Sequence, residues 1–93
     1  MVDVWVINPP SQIILEEIDG FLACYSRLTG ETHVLDAFPA EIMSSLASGP
    51  KSIAQIGVDL TALMGDKPDG WVAEIDGVLK KLYYMQLVDT RSL

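Results

Sequence analysis

Cys24 and His33 are the single cysteine and the single histidine of this 93-residue chain, and together they have the chemistry of a nucleophile and its base. An imidazole beside a thiol can draw off its proton and leave a reactive thiolate. Neighbouring strands could bring the two together. Catalysis needs more than the pair, and the sequence offers neither a third orienting group nor an evident oxyanion hole. One histidine with one cysteine does not make a zinc site. No GxxxxGK[S/T] phosphate loop and no GxGxxG turn is present. The expectation is a chain that is not an enzyme in its own right and carries no cofactor. Cys24 then reads as a buried small hydrophobe in an apolar, strand-like stretch. His33 alternates with Leu35, so both point to one sheet face. It reads as a half-buried strand histidine hydrogen-bonded to a neighbour, or as a polar contact to a bound peptide. Asp59, Asp66, Asp69, Glu74 and Asp76 fall where solvated caps and helix faces are expected.

The elements that position these side chains follow from hydrophobic period. Val2, Val4 and Val6 alternate with Asp3, Trp5 and Ile7 as in a short strand, which Pro9-Pro10 ends. Residues 12–18 form a strand, Asp19-Gly20 a tight hairpin turn, and residues 21–26 the returning strand. Leu28-Thr29-Gly30-Glu31 makes the next turn and residues 32–35 a third strand. These three form an antiparallel meander. The period then lengthens toward 3.6. Asp36 is placed as N-cap of a helix through about Ala47, with Pro39 in its first turn and Phe38, Ile42 and Leu46 as its core stripe. Ser48-Gly49-Pro50 stops it, and Ser52-Ile53-Ala54-Gln55 reads as a capping box opening the next helix. Ile53, Ile56, Leu60, Leu63 and Met64 share a face there. After a polar loop, Trp71, Val72, Ile75, Val78, Leu79, Leu82 and Tyr83 form a wide apolar stripe on a third helix. Leu87-Val88 ends the pattern as a short extended tail. The expected fold is α+β: a three-stranded antiparallel meander followed by three helices that cover one face of the sheet, in a winged-helix-like arrangement. It forms one domain, 1–93, with its core in 12–89 and a possible extra strand in 1–10.

Composition narrows the function classes. The formal charge is −7, from 6 Lys and Arg against 13 Asp and Glu. Phosphate backbones and anionic membranes both require a cationic surface, so nucleic acid and membrane are excluded as partners. The third helix, which a winged helix would lay in DNA, offers Glu74, Asp76, Gly77, Lys80, Lys81 and Tyr84 on its polar side. Two lysines against two acids do not make a phosphate-binding surface. Hydrophobic residues make up 49% of the chain and its mean hydropathy is +0.30. A small domain cannot hide that much, so an apolar surface patch for a partner or a second copy is expected. A lone cysteine permits no internal disulfide, which suits a reducing cytoplasm. The start, Met1 to Ile7, lacks the basic region of a signal peptide.

The run Tyr25-Ser26-Arg27-Leu28-Thr29-Gly30-Glu31-Thr32-His33-Val34-Leu35-Asp36 resembles a segment of the PqqD-like proteins of the HPr-rel-A system. Ile42 to Leu46, Gly49-Pro50-Lys51-Ser52-Ile53 and Val78-Leu79-Lys80-Lys81-Leu82 leading to Leu87-Val88 fit the same order and spacing. The likeness spans residues 12–89. It departs at Gln86, where that family usually has glycine. The resemblance implies the RiPP recognition element fold, RiPPs being ribosomally made and enzymatically modified peptides. It also implies a peptide chaperone that holds the leader of a precursor peptide as an added strand and delivers it to a modifying enzyme. That enzyme would be a radical SAM protein or an HPr-kinase-like protein of the same system.

The residues are consistent with that role. Strand addition needs an open edge with pockets beside it. The last strand of the meander carries no proline or lysine, the usual devices against edge pairing. Glu31, Thr32, His33, Val34 and Leu35 are therefore the expected peptide-binding edge, with Val72, Ile75, Leu79 and Tyr83 of the third helix as the facing wall. The sequence leaves open which of these four face the core. The alternative is a structural module that uses the same apolar excess and free edge to form a homodimer.

Overall fold

The computed structural model describes residues 3–8, 11–66 and 70–92. The expected alternation involving Val2, the Pro9-Pro10 break and Asp69 lie outside them. Strand β1 is Asp3–Ile7, β2 Ile13–Ile18, β3 Phe21–Ser26 and β4 Thr32–Leu35. Helices α1 (Ala37–Ala47), α2 (Ile53–Met64) and α3 (Val72–Tyr84) follow, and β5 (Val88–Ser92) closes the chain. The sheet β2-β3-β4 is an antiparallel meander in that spatial order, and β1 pairs antiparallel with β5 in a separate ribbon. The expected three strands and three helices are therefore all present. What read as an extended tail after Leu87 is a full strand, matched from Ile7↔Val88 to Asp3↔Ser92.

Local chemistry explains the corners. Asp19 and Gly20 both have positive φ, 51° and 84°, as a two-residue hairpin turn of this twist requires. Ser52 and Gln55 exchange the two hydrogen bonds of a capping box: the Gln55 amide donates to Ser52 Oγ at 3.2 Å and the Ser52 amide to Gln55 Oε1 at 2.8 Å. Asp36 holds the N-cap position of α1, although its side chain makes no capping hydrogen bond.

Inward-facing side chains of the meander meet the three helices in one core. Leu22, Cys24 and Leu35 of the sheet pack with Ile42, Met43 and Leu46 of α1, Ile56 and Leu60 of α2, and Ile75, Leu79 and Leu82 of α3. Leu63 and Met64 were expected on the core face of α2. They are exposed, because the last turn of α2 runs past the core. Among the described residues, nothing covers the other face of the meander. Ile14, Ile18, Phe21, Tyr25 and Val34 stand on it, each at least 39% exposed, and the register sets Ile14 opposite Tyr25 and Ile18 opposite Phe21. An apolar solvent-facing side is unusual for an antiparallel sheet, which normally alternates polar outward.

Candidate functional site

The hydrogen-bond phase of β4 decides what its edge can do. The Ser26 amide donates to the Glu31 carbonyl at 2.9 Å. Antiparallel ladders alternate, so the opposed pairs Cys24–His33 and Leu22–Leu35 also direct their amides and carbonyls at each other. Thr32 and Val34 then turn theirs the other way. β4 is the last strand of its sheet, and among the described residues no strand pairs with that outer side. The N-terminal strand, which could have covered it, is paired with β5 instead. The border thus offers two donors and two acceptors in a row, and Val34 is 65% exposed.

Side chains split by face. His33 and Leu35 point inward. Leu35 is buried, and His33 is half-buried with Nε2 3.8 Å from Glu31 Oε2, too far for a hydrogen bond. Glu31, Thr32 and Val34 are exposed. The wall residues divide. Ile75 and Leu79 are fully buried in the core that Leu35 also joins, so their side chains are held inside rather than offered to a ligand. Val72 is exposed and lines a cleft with Gly57, Val58 and Thr61 of α2. Tyr83 is exposed, edge-on to Tyr84 with ring centroids 6.1 Å apart. Sequence reasoning gave no site role to the pair that ties the end of β4 to the start of α3. Phe38, three residues beyond the strand, meets Trp71 at a centroid distance of 5.7 Å. The Trp71 indole N–H donates to the Gly65 carbonyl at 3.2 Å. An aromatic just after the edge strand and another just before the third helix were the available signal.

Cys24 lies directly opposite His33 in the ladder. The thiol is nonetheless fully buried, and burial pushes it up from 9.0 to about 11. A buried neutral thiol is the reverse of an activated nucleophile. Among the described residues, no three His, Cys, Asp or Glu gather to hold a metal ion. Asp59 read as a solvated helix carboxylate. It accepts hydrogen bonds from Lys51 Nζ at 2.5 Å and Ser45 Oγ at 2.6 Å, which hold its carboxyl below the usual range. Trp5 and Lys51 exchange backbone hydrogen bonds of 2.7 and 3.1 Å, so this cluster joins β1, α1 and α2. No described helix is long and apolar enough to cross a membrane.

No protein-family model matches the chain, and no curated protein matches it. Among solved structures, the chain is similar to TbiB1 in complex with the TbiA(beta) leader peptide, with a TM-score of 0.76 and 21% sequence identity over 90% of this chain and 94% of that one. The likeness establishes the fold: an α+β domain with a three-stranded antiparallel sheet, two further strands and three helices.

Proposed function

We propose that this chain binds the leader segment of a precursor peptide as an added strand on β4, held against α3, and presents it to a modifying enzyme. The observation that carries this reading is the open border of β4, where Thr32 and Val34 direct their backbone groups outward. The similarity in fold to TbiB1, a protein seen with a leader peptide, supports it. So does the resemblance of residues 25–36 to PqqD-like proteins, which extends the proposal to the HPr-rel-A setting and to a cytoplasmic site of action. The backbone of Thr32 and Val34 can make four hydrogen bonds with an incoming strand. At about 0.5–1.5 kcal/mol each, these supply about 2–6 kcal/mol. A millimolar Kd already needs about 4 kcal/mol, so useful affinity must come from side chains. Peptide residues opposite His33 and Leu35 would turn inward, toward Phe38, Trp71 and α3. Those opposite Thr32 and Val34 would extend the outer face. Glu31 and Asp36 flank the border with negative charge, which favours a basic leader and a faster encounter.

Val34→Pro tests this directly. It deletes an outward amide and leaves the bonds to β3 untouched, so the meander should stay folded. Synthetic peptides from the small reading frames beside the gene, titrated by fluorescence anisotropy, should bind the native chain and Val34→Thr but not Val34→Pro. Equal affinity in a folded Val34→Pro protein rejects the site. A homodimer is the second reading, favoured by the apolar outer face of the meander. Sedimentation at rising concentration separates the two, since a net charge of −7 opposes self-association.

A further inference from the structure

The meander has a second border, on β2, and it adjoins a cavity of about 390 Å³ between β1, β2 and the C-terminal end of α1. Val6, Ile13, Leu15 and Leu46 line it, with the exposed Ala47 and Arg91. Apolar hollows of a few hundred cubic ångströms that open to solvent are typical of ligand sites. Among the described lining residues Arg91 alone carries a charge, and it has no ion pair with a described residue. The β2 backbone has its own phase. The Arg27 amide donates to the Gln12 carbonyl at 2.8 Å. Ile14 and Glu16 therefore face β3, while Ile13 and Leu15, whose side chains line the cavity, turn their amides and carbonyls to the side where no described strand pairs.

We propose that this cleft is a second peptide site, which takes the C-terminal end of an extended segment. The last side chain, apolar, fills the cavity. Its carboxylate pairs with the Arg91 guanidinium, and the preceding backbone bonds to Ile13 and Leu15. The free backbone groups select a peptide over an acyl chain, which has nothing to offer them. Strand geometry selects a terminal carboxylate over a side-chain one. Adjacent side chains of a strand point to opposite faces, so a neighbouring Asp or Glu would turn away from a cavity that its apolar neighbour enters. The α-carboxylate belongs to the same residue and stays beside it. This site is independent of the β4 border.

Amide NMR of the full chain, titrated with N-acetyl-Thr-Ala-Thr-Leu as the free acid, tests the assignment. The acid should give saturable shifts at Ile13, Leu15 and Ala47, and the C-terminal amide should bind up to about five-fold more weakly, the upper worth of one exposed charge pair. Arg91→Gln, a change at an exposed position, should abolish the difference between acid and amide. Ala47→Trp should block both, and Val34→Pro should leave both unchanged. Equal binding of acid and amide, or no saturable shift, overturns the proposal. So does tighter binding by sodium decanoate at the same amides, which would mark a pocket for acyl chains.

Discussion

Cys24 and His33 show how burial overrides reactivity at the scale of single residues. Their types suggest a catalytic pair and the ladder sets them opposite each other, yet the thiol is sealed beneath the helices. Its protonated form is favoured in the folded state, with the thiol at about 11 against an ordinary 9.0. The unfolded chain gives up that proton first as pH rises. Stability should therefore hold below pH 9 and fall between pH 9 and 11, by on the order of 2–3 kcal/mol from this group. Urea melts of the native chain and of Cys24→Ala across that window measure it, and the fall should be smaller in the variant. The native thiol should also resist alkylation at pH 8 until the chain unfolds. Rapid modification of the folded protein would refute the burial argument and reopen the nucleophile.

Helix ends carry most of what distinguishes the elements. The Ser52–Gln55 box satisfies two otherwise unpaired amides at the start of α2. At the end of α3, Leu87 N–H donates to the Leu82 carbonyl and Gln86 N–H to the Tyr83 carbonyl, both at 3.0 Å, the paired bonds of a Schellman motif. The residue after the C-cap must then be left-handed, and Gln86 is, with φ of 61°. This gives physical meaning to the one departure from the PqqD-like pattern, since glycine takes that conformation without steric cost. Gln86→Gly should raise stability by about 1 kcal/mol in thermal or urea unfolding. A loss of stability would mean that the Gln86 side chain contributes more than its backbone strain costs.

At the scale of the molecule, helices seal one face of the meander and no described residue covers the other. Substitutions should sort by that division. Leu79→Ala leaves a hole in the centre of the core and should cost about 2–5 kcal/mol, a large part of a small domain's stability. Phe21→Thr, on the bare face, should cost less than about 1 kcal/mol while lowering any tendency to associate. Urea denaturation and sedimentation of the two variants check both statements. Similar costs would mean that the outer face is covered in solution, as a homodimer through that face would require.

Hydrophobic period, Asp19-Gly20, the Ser52 box and the Ser48-Gly49-Pro50 stop were enough to read the meander and three helices from sequence, because each is a local preference that the tertiary structure did not override. The edge status of β4 was also legible, since nothing in Thr32 to Leu35 blocks pairing. Other features depended on residues distant in sequence. Asp3–Ile7 found its partner in Val88–Ser92, which left β4 open, and no short-range signal specifies that pairing. The rotation of α3 about its axis sent Ile75 and Leu79 inward and left Val72 and Tyr83 exposed, although all four belong to one apolar stripe. A stripe wider than the surface it packs against records only that a helix is amphipathic. Which of its residues become core is set by the neighbours that arrive, and those are known only once the chain has closed on itself.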